Sequence, residues 1–281
     1  MEDSLRALKS IKVHVLALIL TILCEFLGTK IIPLPIGSIV FFPMLYALLL
    51  GFVIGLPRLN ILKLEEEEEA SYLINISVML LIARYGTLVG PNFFKIINSG
   101  LALLLQEFGN LGTAICAIPL AVWLGLKREA VGAGHSIGRE GNLALISEVY
   151  GLNSPEGRGI MGVYICGTVF GSIFFGLMAS LIASWGIFSV EAQAMAAGTG
   201  SASMMTATIG ALRALYPDKG ELIAAYGAAS NMLTSLDGLY MSLFLGLPIS
   251  NWLYNVCYRA KYGSAPDGAK SRSTEKEDGS Q

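Results

Sequence analysis

The sequence predicts an all-α integral membrane protein of about eight transmembrane helices, with broken or re-entrant segments and the trace of an inverted repeat. Three observations predict it. The 281-residue chain is 54% hydrophobic and only 14% charged, with mean hydropathy +0.62, whereas soluble domains carry roughly 25% charged residues. Several runs reach the roughly 20 apolar residues that span a hydrocarbon core. Two glycine-rich polar stretches, 130–142 and 195–210, interrupt the apolar pattern.

Taken in order, residues 1–10 are expected to form a cytoplasmic N-terminus, which carries Arg6 and Lys9. The first helix, 11–29, is expected to be retained, because no small-x-small cleavage site follows Phe26. Further spans are expected at 36–56, 71–91, 100–126, 158–184, 190–213, 221–247 and, weakly, 248–260. The acidic run Glu65 to Glu69 reads as a solvated turn between the second and third spans. Residues 263–281 lack apolar periodicity and read as a disordered polar tail. All the spans, 11–262, belong to one transporter-like membrane domain.

Orientation follows from lysine and arginine placement. With Arg6, Lys9 and Lys12 in the cytoplasm, Arg58, Lys63, Lys127 and Arg128 also fall inside. If the polar segment 130–155 crossed once, Arg213 and Lys219 would land outside; if it returns, Arg158, Arg213, Lys219, Arg259 and Lys261 all fall inside. The second reading is preferred. It places a multi-pass protein in the inner (plasma) membrane with both termini cytoplasmic.

Residues 110–126 and 231–247 align without gaps, setting Asn110 against Asn231, Thr113 against Thr234 and Leu124-Gly125-Leu126 against Leu245-Gly246-Leu247. In the expected topology the two segments run in opposite directions. The repeats would cover about 36–126 and 158–247, joined by 130–155, as in secondary transporters.

Several classes find nothing to rest on. The net charge of −2 and the lack of a basic, aromatic-interleaved patch argue against nucleic acid. Cys24, Cys116, Cys166 and Cys257 form no C-x-x-C pair, and no phosphate-binding G-x-x-x-x-G-K or H-E-x-x-H string occurs. No metal, cofactor or catalytic residue is expected. Gly134-His135-Ser136-Ile137-Gly138 does match the G-x-S-x-G nucleophile elbow, but the preceding KREAVGA has no strand pattern and the other histidine is His14. A membrane-embedded hydrolase using Ser136 is therefore a rival reading.

The polar stretches explain more as a solute site. Gly132, Gly134, Gly138 and Gly141 loosen the helix around His135, Ser136, Arg139, Glu140 and Asn142. Free backbone inside a bilayer survives only against protein or a water-filled cavity. In the second stretch Gly198 and Gly200 stand beside Ser201 and Ser203, a pattern that suits either a close helix crossing or a broken helix facing a ligand. A third cluster joins Gln106, Glu107 and Asn110 with Asn231, Thr234, Ser235 and Asp237. Expected solute ligands are His135, Ser136, Arg139, Asn142, Asn110, Ser201, Ser203, Asn231 and Thr234. Glu107, Asp237 and Thr113 are expected to couple Na+ or H+.

The run GHSIGREGNLALISEVYGLNSPEGRGIMGVYICGTVFGSIF (134–174), with GTGSASMMTA (198–207) and AASNMLTSLDGLYMSLFLGLP (228–248), resembles a prokaryotic membrane-protein family catalogued as domain of unknown function 3100. The likeness covers most of 73–255, and SPEGRG and GSASMM are its more specific strings. More distantly, the broken polar segments resemble carboxylate and sodium-coupled carriers built from inverted repeats. Those usually have ten spans, against the eight counted here. The expected function is secondary transport of a small polar solute, an organic anion being slightly favoured through Arg139. The expected partners are the lipid bilayer, the solute and a second copy in a homodimer. A non-transporting scaffold or accessory subunit is the remaining alternative.

Overall fold

Apolar residues at helical spacing build most of the chain. The computed structural model, which describes residues 10–35, 37–135 and 140–263, is 79% helical with almost no sheet. The all-α expectation holds. Among the described residues, two helices are long and apolar enough to cross a membrane, Gly100–Trp123 and the continuous Pro217–Tyr262. The expected ends 1–9 and 264–281 lie outside the described residues.

Contacts divide the chain into two units, Met1–Glu107 with Ile165–Asp237, and Phe108–Tyr164 with Gly238–Gln281. The first unit opens with α1 (Ile11–Leu27), the hairpin β1 (Lys30–Leu34) and β2 (Gly37–Phe41), α2 (Pro43–Ile54), α3 (Leu64–Val89), α4 (Phe93–Asn98) and the start of α5 (Gly100–Trp123). The second holds the rest of α5, then α6 (Glu129–Gly134), α7 (Glu140–Tyr150) and most of α8 (Pro155–Cys166). A π-helical turn, Gly167–Gly171, leads into α9 (Ser172–Ser184), α10 (Val190–Ala197), α11 (Ala202–Leu215) and α12 (Gly220–Met241). A second π turn, Ser242–Gly246, continues into α13 (Leu247–Tyr262) in the second unit.

The hairpin replaces the start of the expected span 36–56. Its β-branched Ile31, Ile32, Ile39 and Val40 fit a pleated surface better than a helix. Pro33 stands opposite Ser38. The Ser38 and Val40 amides donate to Ser184 Oγ (2.9 Å) and Ser180 Oγ (3.2 Å) of α9. Two serine hydroxyls thus do for this edge of β2 what a third strand would do elsewhere. Below it, Phe42 packs with Val40 and Leu45 against Ala207 and Ala211. Glycine is required at 210, where a Cβ would stand 2.6 Å from the Phe42 ring.

The acidic run is not a turn. Glu65, Glu66 and Glu67 occupy the first turn of α3, where the helix dipole favours negative charge. The Glu66 carboxylate accepts the Lys63 N–H at 2.8 Å and pairs with Lys12 Nζ at 2.7 Å. The spans expected separately at 221–247 and 248–260 are also one helix. Pro248 has no N–H to offer a helix, and the π turn before it absorbs the disruption: Leu247 N–H reaches back to Ser242 O.

The core of the second unit, Ala114, Ile118, Val122, Val131, Ile146, Ile160, Leu247 and Tyr254, is tied by an ion pair. Arg128 Nε donates to Glu156 Oε1 at 2.6 Å, and the side chains are 26% and 7% exposed. The same guanidinium lies over the Tyr150 and Tyr254 rings, 5.7 and 5.2 Å from their centroids. Above it α6 and α8 cross at reciprocal glycines. A methyl group on Gly132 would land on the Glu156 carbonyl, and one on Gly159 on the Glu129 carbonyl.

Candidate functional site

The polar candidates of the first unit gather where α10 stops and α11 starts. Ser189 caps α10 by accepting Ala192 N–H at 3.2 Å, and Ser201 caps α11 by accepting Met204 N–H at 3.4 Å. Hydroxyls at these positions satisfy amides that have no partner inside the helix. Residues 198–201 between the two helices leave the helical ladder, where the glycine spacing predicts a break. Gly198 is required by close approach, because a Cβ there would collide with Ser230 and the Asn231 backbone of α12.

Two neighbouring side chains of α12 hold the interruption. Asn231 is 7% exposed, and its Nδ2 donates to Gly198 O and Gly200 O, both at 2.9 Å. Ser230 is fully buried, with Oγ 2.6 Å from Met195 O and 2.6 Å from Gln106 Oε1. Its single hydrogen serves one acceptor at a time. Thr199 Oγ1 donates to Ala196 O at 2.8 Å, and the hydroxyls of the half-buried Ser201 and the exposed Ser203 lie 3.1 Å apart.

Farther along α12, the buried Thr234 donates to Ser230 O at 3.1 Å and Ser235 to Asn231 O at 2.7 Å. Both are the back-bonding expected of hydroxyls within a helix. Asp237 is half-buried, with Oδ1 enclosed and without a hydrogen-bond partner among the described residues. It follows Asn231 by about 9 Å along the axis at 1.5 Å per residue.

In the second unit, His135 is buried at the end of α6 with Nδ1 3.1 Å from Gly132 O. That bond puts the proton of a neutral ring on Nδ1 and leaves Nε2 as an acceptor. Nε2 and Ser242 Oγ are enclosed without partners among the described residues. Asn142 is buried on α7 and Thr113 half-buried on α5. Glu107 and Asn110 lie on α5, and their side chains, like Ser136 and Arg139 as a whole, fall outside the described residues.

The sequence pattern of the family described as "Protein of unknown function (DUF3100)" matches residues 22–256. The chain belongs to this family. The DUF3100 match contains the interrupted helix, its Asn231 brace and the Arg128–Glu156 pair. Comparison with curated proteins and with solved structures returned no match.

Within this DUF3100 chain the structure brings Ser201, Ser203 and Asn231 to one interruption. Thr234 and Asp237 follow along the same helix. Ser230 escaped the sequence reading although it is the most buried hydroxyl at the break; its place beside Asn231 in AASNM was the available signal. Gln193, the one polar residue in the interior of α10, escaped as well. So did the Arg128–Glu156 pair, whose members are 28 residues apart and share no motif spacing.

Proposed function

We propose that the chain is a multi-pass integral membrane protein and a secondary transporter of a small polar solute, driven by Na+ or H+. The membrane reading is supported by the faces of the long helices. Leu101, Leu104, Leu105, Phe108 and Ile115 of α5 are each more than half exposed, an apolar stripe that water would penalise and lipid would cover. On this reading the interrupted helix is one of the broken elements of an inverted-repeat carrier.

The observation that carries transport is the interruption at 198–201. A break in a helix is costly in an apolar setting unless the freed groups find partners. Here α11 turns its first amides and the Ser201 and Ser203 hydroxyls toward one end, a combination suited to an anionic or hydroxylated solute. Asp237 Oδ1, enclosed without a partner among the described residues, suits a group that exchanges a proton or Na+. The scaffold reading draws on Asn231, both of whose amide hydrogens are spent on backbone carbonyls, so that it braces the break rather than facing a solute.

A thermal-shift screen of purified protein against small metabolites, with and without Na+ and at two pH values, separates the readings. Binding to the folded state stabilises by RT ln(1 + [L]/Kd). Transport predicts a stabilising solute whose effect is lost in the Ser201→Ala/Ser203→Ala variant and kept in Leu101→Ala, with the Na+ or pH dependence lost in Asp237→Asn. A broad library without a stabilising solute, or a solute indifferent to the serine changes, removes the site proposed here.

A further inference from the structure

Within the first unit, the two edges of the β1–β2 hairpin differ. Along β2, Ser38 and Val40 turn their N–H groups to Ser184 and Ser180 of α9, and so away from β1. They stand opposite Pro33 and Ile31. In an antiparallel ladder hydrogen-bonded and non-hydrogen-bonded pairs alternate, so Lys30, Ile32 and Leu34 make the inner bonds, with Phe41, Ile39 and Gly37 opposite them. Ile31 and Pro33 therefore turn their backbone groups to the outer edge of β1. That edge is open: every residue of β1 is exposed, and among the described residues nothing bonds the Ile31 N–H or carbonyl. It is also apolar, with Ile31 and Ile32 50% and 47% exposed.

We propose that this edge pairs with the same edge of a second copy of the chain, antiparallel and centred on Ile31, so that a twofold homodimer shares one continuous sheet. The pattern of donors and acceptors is what selects the copy. Turned outward are both backbone groups of Ile31 and the carbonyl of Pro33, which has no N–H. Thr29, exposed and next in the alternation, adds an amide. With Ile31 opposite itself, its N–H and C=O bond reciprocally across the axis. Each Thr29 amide then meets the Pro33 carbonyl of the other copy, where proline has no donor to leave stranded. Sliding the register one way sets Lys30 directly opposite Lys30, and like charges so placed are destabilising. Sliding it the other way leaves the Ile31 carbonyl facing a proline ring. In the central register Ile32 lies opposite Lys30 of the other copy, whose aliphatic stem covers it while the amine stays in water. Proline and lysine ordinarily protect a strand edge from pairing; here they leave one register open. The inference stands apart from the transport reading, because it needs neither a solute nor a coupling ion.

The first test is Ile31→Pro. It deletes the outward N–H and spares the inner ladder, as Pro33 already does at the same side of the strand. Light scattering on the full chain in detergent, corrected for bound detergent and taken over a wide range of concentration, measures the oligomeric state. The wild-type chain is expected to be a dimer. Ile31→Pro should raise the dissociation constant roughly tenfold or more, the scale of the bonds removed, with the circular dichroism unchanged. Cysteine cross-linking locates the contact independently of that variant. In a chain whose Cys24, Cys116, Cys166 and Cys257 are replaced by alanine, Ile31→Cys should be joined to its copy by a short bifunctional thiol reagent, since directly opposite residues lie about 5.5 Å apart at Cα. Leu34→Cys should not be joined, because the central register displaces it from its copy by about 20 Å along the strand. A chain that is monomeric throughout overturns the proposal and leaves the edge to a strand of another protein. So does a dimer that a folded Ile31→Pro chain keeps intact, or cross-linking as strong at 34 as at 31.

Discussion

Replacing Arg128 by methionine removes the cation from the most buried ion pair of the second unit and keeps much of the side chain's apolar stem. Glu156 is then left with a carboxylate that is 7% exposed. Breaking a buried pair from one side costs about 3–5 kcal/mol, most of it the stranded charge. The guanidinium also leaves two tyrosine rings, at about 0.5–1 kcal/mol each in a partly exposed setting. Because Arg128 keeps a quarter of its side chain in contact with solvent, the lower part of the range applies, and the single variant should lose about 4–5 kcal/mol. Adding Glu156→Gln removes the stranded charge but not the loss at Tyr150 and Tyr254. The double variant should therefore recover about 2–4 kcal/mol and remain about 1–2 kcal/mol below wild type. Denaturant unfolding in detergent micelles, followed by tryptophan fluorescence, measures all three proteins. A double variant as unstable as Arg128→Met, or a single variant within about 0.5 kcal/mol of wild type, would refute the reasoning.

Asn231→Leu removes two 2.9 Å hydrogen bonds from the break and should cost about 2–3 kcal/mol, with faster hydrogen exchange at 198–201; unchanged exchange there would count against the bracing role. Gly132→Ala and Gly159→Ala drive a methyl into the facing backbone and should each destabilise by roughly 1–3 kcal/mol or more. Gly162→Ala, which meets open space on the same helix α8, should instead stabilise by up to about 1 kcal/mol; equal losses at all three positions would point to helix effects alone. The Glu129 carboxyl is held below its ordinary value of 4.5 by backbone N–H at the start of α6 and then by Arg158. A depressed carboxyl contributes stability above the unfolded-state value and loses it as pH falls through the folded-state value. Glu129→Gln should therefore be less stable than wild type at pH 7, with the gap closing below about pH 4.5; a gap that widens in acid reverses the assignment.

The break at 198–201 was legible because glycine at two alternate positions, followed by a serine able to cap, encodes a helix end and a helix start in the residues themselves. The hairpin at 30–41 was harder to read. Ile39, Val40 and the residues after them form an unbroken apolar run into α2, and hydropathy alone does not separate a strand from a helix in such a run. Its β-branched content and two prolines were the local evidence. The acidic run misled for the opposite reason: five glutamates read as solvated, yet the start of a helix is where their charge is favoured. Ser230 could not be recognised from spacing, because its partners are a carbonyl 35 residues away and an amide 124 residues away.

The continuous helical run from Pro217 to Tyr262 has a consequence for labelling. Its 46 residues are more than twice the roughly 20 that a hydrocarbon core accommodates. On the membrane reading proposed above, a good part of the run, with the exposed Lys219 and Lys261 near its ends, would have to lie outside the apolar layer. An impermeant amine reagent applied to detergent-free vesicles and then to opened ones would show on which side each of these lysines is reached.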